Sequence, residues 1–276
     1  MKLIKPYFEI LEQPAGLEGV YKQIEKVGRV CYKSEDKITE GSAKPFVDRM
    51  IKSGHGAMLE HGTVYLFCPT EEYVDSNGDV QYYNPLEKYQ NNNYSALVDS
   101  NEGIYVTTNL RVLIENGWMD DLKYLCQPTE NHTKRVTVKF ITSRAIANKL
   151  VKHRMFSFCQ DTDVFNNQVT FIEPLKNIKT GSYNLNHYLD ENVTFEDVPE
   201  DYYILQLMVA ESSYFMLLNK GWKPEEAGEV LPNSTKTELM MTGFIDDWEH
   251  LFSTEDNEKV KELISGLEQE FIKINY

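Results

Sequence analysis

Residues Arg135 to Ser143 read RVTVKFITS, in which Val136, Val138 and Phe140 alternate with Thr137, Lys139 and Ile141. A period of two over this length makes a strand with two distinct faces. From Arg144 to Arg154 the spacing turns helical through Ile146, Leu150 and Val151. A two-faced strand running straight into a helix restricts the chain to α/β or α+β architectures. The remaining pattern agrees. Leu17 to Ser34, Ala43 to Ser53, Asn109 to Asn116, Met119 to Leu125, Glu200 to Lys220 and Glu255 to Ile272 read as helices, with another starting at Lys223-Pro224-Glu225-Glu226. The short N-terminal run, Thr63 to Cys68, Ile104 to Thr108 and QVTFIEP read as strands. Thr70 to Ser100, rich in Asn, Asp, Glu and Tyr, reads as a polar excursion from the core.

The chain has 276 residues and 41% hydrophobic content, enough for a substantial core. Its apolar runs fall short of the roughly 18 residues a membrane span needs. The opening MKLIKPYFEILEQPAG is broken by acids and does not read as a signal peptide, so the expected compartment is the cytoplasm. A formal net charge of -15 opposes nonspecific binding to nucleic acid or anionic lipid. Cys31, Cys68, Cys126 and Cys159 form no CxxC pair and read as reduced, mostly buried thiols.

An anionic ligand therefore needs a local concentration of donors, and Lys152-His153-Arg154 supplies one where the helix ends. No arginine occurs in the 122 residues after it. Taken alone, consecutive cations at a helix C-terminus are also what a solvated, dipole-stabilised end looks like. GHGAMLEH offers His55, Glu60 and His61 without the order or third ligand of a metal site. Neither a glycine-rich phosphate loop nor a G-x-S-x-G elbow is present. Cys159 beside Ser157 has no supporting His and Asn pattern for a nucleophile.

Five blocks follow one another in a recognisable order: RVCYKSEDKITEGSAKPFV, GHGAMLEHGTVYLF, YLCQPTENHTKRVTVKF, KHRMFSFCQDT and EVLPNSTKTELMMTG. Together they resemble the flavin-dependent thymidylate synthases over most of the chain. The resemblance implies one domain over residues 1–276, a mixed sheet flanked by helices, with a polar insertion at about residues 69–132. It implies a homotetramer holding FAD at subunit interfaces. Such enzymes use NADPH and methylenetetrahydrofolate to methylate C5 of dUMP without an enzyme nucleophile, so the chemistry belongs to the cofactor. His61, Thr63, Lys152, His153, Arg154, Met155 and His250 are implied flavin contacts, and Lys149, Gln160 and Thr162 are implied to line the pyrimidine site.

The chain departs from the family where arginine is expected. The family triplet Arg-His-Arg begins here with Lys152, which keeps the charge and loses the two-point fork. Ala227-Gly228-Glu229-Val230-Leu231-Pro232 puts Gly228 at one nucleotide-binding arginine, Glu255 stands near another, and an Arg-Tyr pair is missing after Thr162. Phe244 replaces a flavin-associated Asn, and Lys149 a Gln or Glu. Each charged phosphate contact contributes about 1.5–3 kcal/mol, so these losses weaken nucleotide binding a hundredfold or more. The sequence therefore sets methylation of dUMP against two alternatives: a non-synthetic paralog that binds a ligand or serves as a subunit, and a flavin and folate enzyme with a less anionic acceptor.

Overall fold

The computed structural model describes residues 1–161, 165, 167–185 and 198–273. At its centre is an antiparallel sheet ordered β2 (Tyr7–Leu11), β8 (Arg135–Ser143), β12 (Lys236–Phe244) and β9 (Ser157–Gln160). The alternating strand of the sequence is β8, with the predicted bounds. Its partner β12 carries no alternation, because apolar residues of both parities, Leu239, Met240 and Met241, are buried under the covers of both faces.

Odd-numbered residues of β12 face one way. Leu239 and Met241 pack with Ile146 and Leu150 of α5 (Arg144–Leu150), Trp248 and Leu251 of α8 (Ile245–Thr254), and Ile264 and Leu267 of α9 (Glu258–Lys273). On the opposite face, Met240 meets Cys159 and Val27 and Val30 of α1 (Gly16–Cys31). Two faces, each with its own helical cover, are what the period of two in β8 requires.

The polar excursion begins after β3 (Thr63–Cys68) and holds a hairpin, β4 (Glu71–Val74) with β5 (Val80–Tyr83), followed by β6 (Ala96–Ser100) and β7 (Gly103–Asn109). Strands β3, β7 and β6 form a second antiparallel sheet. Val64, Leu66 and Val106 from this sheet share a core with Ile24 of α1, Phe46 of α2 (Ala43–Ser53) and Leu113 of α4 (Leu110–Glu115). The predicted helix over Met119 to Leu125 is a 3-10 turn at Met119–Tyr124. The excursion returns to its origin: His132 Nε2 lies 3.1 Å from the Leu66 carbonyl, and Arg135 Nη1 donates to the Glu60 carbonyl at 3.1 Å. Its return end therefore lies beside β3 and the residue that follows α3 (Gly56–Leu59).

A third sheet orders β10 (Thr170–Ile172), β1 (Lys2–Ile4) and β11 (Gly181–Ser182), covered by α6 (Pro199–Asn219), with α7 (Pro224–Ala227) following. Leu3, Phe171, Leu207 and Tyr214 form its core. Among the described residues, no helix is long and apolar enough to cross a membrane.

Candidate functional site

Helical spacing runs to Arg154 in the sequence, but α5 ends at Leu150, and Lys152 and His153 turn back on it through bonds to the Lys149 and Leu150 carbonyls. The cause lies just downstream. Phe156 is buried against Trp248, ring centroids 4.6 Å apart, and a Cβ at Gly243 would lie 2.4 Å from its ring. Seating Phe156 there and opening β9 at Ser157 leaves only a turn for the triplet. Lys152, Arg154 and Met155 project as exposed residues, whereas His153 is half-buried with Nε2 3.2 Å from Glu255 Oε2. Burial pushes the Glu255 carboxyl upward, but the Asn257 amide and His153 overcome this and hold it below the ordinary carboxylate range. A carboxylate thus occupies one side of the cationic turn.

Gln160 closes β9. Its Nε2 donates to Thr237 Oγ1 at 3.1 Å, committing the amide nitrogen to β12. Asp161, buried beside it, accepts from Thr237 Oγ1 at 2.6 Å and the Glu238 amide at 2.9 Å, while Lys33 Nζ lies 3.5 Å from its other oxygen. Lys33 follows α1 with φ +46°, and the Ser34 amide donates to the Arg29 carbonyl. This left-handed position ordinarily favours glycine, and it sets the lysine both toward Asp161 and 5.2 Å over the Phe165 ring. Asp161 therefore joins the ends of α1, β9 and β12 where Gln160 emerges. Thr162 lies outside the described residues.

His61 is wholly buried on the α1 face, with Nδ1 2.7 Å from Thr242 Oγ1, which is itself 2.8 Å from Thr137 Oγ1. Its Nε2 is buried with no hydrogen-bond partner. Burial, then the Arg135 charge, push the imidazole down to about 3, so it is neutral. Thr63 exchanges both backbone bonds with the Gln13 side chain at 2.8 Å, and its hydroxyl lies 3.5 Å from Arg135 Nη1. Gln13, Thr63, Lys134, Arg135 and Thr137 line a cavity of about 360 Å³ beside the start of α1.

The sequence-derived residues thus fall into two groups with the sheet between them. Thr242, holding His61, shares the α1 face with Met240; Thr237, holding Gln160, shares the α5–α9 face with Leu239 and Met241. Along β9 the register pairs Ser157 with Thr242 and Gln160 with Leu239, a separation of roughly 10 Å. Lys149 lines a shallow surface pocket with Asp256, Asn257 and Lys259, and His250 is exposed on α8.

Two arginines carried no signal in the sequence. Arg135 stacks 5.4 Å over Phe244, the residue at the expected Asn, and desolvation lowers it to about 10. Arg144 Nη2 comes within 3.9 Å of where a Gly228 Cβ would stand, and its Nη1 is 3.5 Å from the Leu231 carbonyl. A guanidinium from α5 therefore sits beside the position that lacks its own. The two arginines stand at the two ends of β8, and the residues they meet lie 109 and 84 positions further along the chain, so no local spacing reveals either contact.

The model of the family described as thymidylate synthase complementing protein matches residues 128–273. Among solved structures, the UMP/dUMP methylase PolB from Streptomyces cacaoi bound with 5-Br dUMP aligns at 15% identity, covering 99% of this chain and 93% of that one, with a TM-score of 0.43. The same methylase bound with 5-Br UMP aligns at 14% identity over 99% and 92%, with a TM-score of 0.43. No curated protein matches the chain.

Proposed function

The chain belongs to the thymidylate synthase complementing protein family, the flavin-dependent thymidylate synthases, and on that premise we propose that it transfers a one-carbon unit from methylenetetrahydrofolate to C5 of dUMP. The matched residues contain the triplet, β9 with Gln160, and β12. The single observation carrying the proposal is the fixed Gln160 amide: with Nε2 held by Thr237, its oxygen is left to accept from the N3–H of a uracil ring.

The donor set suits FAD in two parts. Lys152 and Arg154 are exposed cations suited to a diphosphate, and the buried, unpartnered Nε2 of His61 behind Thr63 is a polar atom awaiting a neighbour. These groups lie on opposite sides of the central sheet, so they fit the cofactor as two half-sites supplied by different subunits, in keeping with an interface site in a homotetramer. Bound there and reduced by NADPH, FAD would supply the hydride that completes the methyl group. The protein would orient and hold charge: Lys152, Arg154 and Met155 would meet the cofactor from one chain, His61 and Thr63 from another, and neutral His61 would withhold a proton from the site. His250 and Lys149 edge the same α5–α9 face, and Thr162 stands two residues after Gln160 in the sequence.

One contact favours a second reading, a less anionic acceptor. Glu255 lies on His153 where the family pattern brings an arginine, and a carboxylate there opposes a phosphate. Calorimetry with dUMP and deoxyuridine, with FAD present, separates the two. Binding of dUMP at least about tenfold tighter than the nucleoside supports the first reading through Arg144 and Lys149. Equal affinity supports the second, and no heat from either at millimolar ligand overturns both.

A further inference from the structure

Cys31 and Cys159 come from elements that the chain separates by more than a hundred residues, yet each sulfur bonds to the other's element. The Cys31 thiol, the last residue of α1, donates to the Gln160 carbonyl at 3.0 Å, next to Cys159. The Cys159 thiol donates to the Val27 carbonyl at 3.7 Å, one turn before Cys31. Each thiol has a single proton, which goes either to that carbonyl or to the facing sulfur, an alternative hydrogen-bond partner. These reciprocal contacts hold them face to face between α1 and β9. We propose that Cys31 and Cys159 form a redox-active dithiol that closes to a disulfide on exchange with small-molecule disulfides of the glutathione type.

The two positions are unequal in the way such exchange needs. Cys31 is half-buried at a helix end beside exposed Tyr32 and Lys33; Cys159 is sealed beneath α1. The hydrogen bond from Cys159 lowers the Cys31 thiol, while the same bond together with burial raises Cys159. Cys31 is therefore the attacking group and Cys159 the resolving one.

In the first step the Cys31 thiolate attacks one sulfur of the small disulfide; a Cys31–glutathione bond forms, the glutathione S–S bond breaks, and one glutathione leaves as thiolate. Cys159 then yields its proton to that thiolate and attacks Cys31 Sγ, expelling the second glutathione. Two protein thiols lose two electrons and two protons, and one small disulfide gains them. The other cysteines are engaged separately, Cys126 with the Tyr65 carbonyl and His132, Cys68 with the Pro69 carbonyl, and serve as internal controls.

Closure removes the thiol that Cys31 donates to the Gln160 carbonyl and ties α1 to the strand end bearing Gln160 and Asp161. A redox effect on ligand binding rests on the proposed pyrimidine site; the disulfide itself does not. The full-length protein is equilibrated across glutathione redox buffers, alkylated and mapped by mass spectrometry. The expected product is a linked peptide pair containing Cys31 and Cys159, two hydrogens lighter than the separate peptides and reversed by dithiothreitol. In Cys159→Ser, Cys31 retains a stable glutathione adduct; in Cys31→Ser, loss of the Cys159 thiol slows at least about tenfold. Stable glutathionylation of Cys31 in the unmodified sequence without the link, or links through Cys68 or Cys126, overturns the proposal. The wild-type map decides the matter even if a variant fails to fold. Calorimetry with dUMP on oxidised and reduced protein reports separately on the pyrimidine site.

Discussion

His61 makes a sharp prediction about acid stability. Its imidazole is fully buried and pushed from 6.5 down to about 3. The unfolded chain binds its proton near pH 6.5 and the folded chain only near 3, so between these values the unfolded state holds more protons and stability rises with pH. The penalty is under about 1 kcal/mol at pH 6.5 and reaches about 3 kcal/mol at pH 4.5, so this one residue removes about 2 kcal/mol over two pH units. His61→Gln keeps a polar partner for Thr242 and deletes the titration. Urea denaturation of both proteins at pH 7, 6.5, 5.5 and 4.5 isolates the term, since the carboxylates shared by the two cancel. The variant is expected to be the less stable protein at pH 7, with the gap narrowing by about 2 kcal/mol at pH 4.5. Parallel profiles would refute the reasoning, because they require an imidazole that titrates alike in both states.

Other perturbations follow from the same geometry. Asp161→Ala leaves Thr237 Oγ1 and the Glu238 amide without their acceptor and is expected to cost about 2–4 kcal/mol in chemical denaturation, whereas Thr237→Ser costs under about 1 kcal/mol. Because Glu255 is held below its ordinary carboxylate range, its contribution is complete above the unfolded value near 4.5 and is lost as pH falls through the folded value. Glu255→Gln should therefore flatten that part of the acid unfolding profile, and it should strengthen dUMP binding in calorimetry. In Gly243→Ala the new Cβ meets the Phe156 ring at 2.4 Å, so a loss of about 1–3 kcal/mol is expected, relieved when Phe156→Leu is added.

The fold was legible where one face of an element meets water or where turn chemistry marks an end. β8 alternates because Val136, Val138 and Phe140 enter the apolar core while Thr137 bonds Thr242 and Lys139 pairs with Glu238 on the other side, and α2 ends as read because Gly54 takes φ +72° after Ser53. The strand β12 was illegible because Leu239, Met240 and Met241 are all buried, and a run apolar on both faces has no period. The early end of α5 was set by Phe156 docking on Trp248, a contact across ninety residues that helical spacing cannot see. In the candidate site, the family blocks nominated His61, the triplet and Gln160. They did not disclose that the sheet divides these residues, nor that Arg135 and Arg144 come to Phe244 and Gly228. Those facts depend on the register of β8 with β12 and on the path of the excursion between β3 and β8.

The central claim is one-carbon transfer to C5 of a uracil ring. The most direct measurement is release of tritium from [5-³H]dUMP by the purified protein supplied with FAD, NADPH and methylenetetrahydrofolate, with the nucleotide then analysed by mass spectrometry. Tritium release dependent on the folate, together with a nucleotide one methylene heavier, is the predicted result. Retention of tritium by protein that binds both FAD and dUMP would contradict the claim.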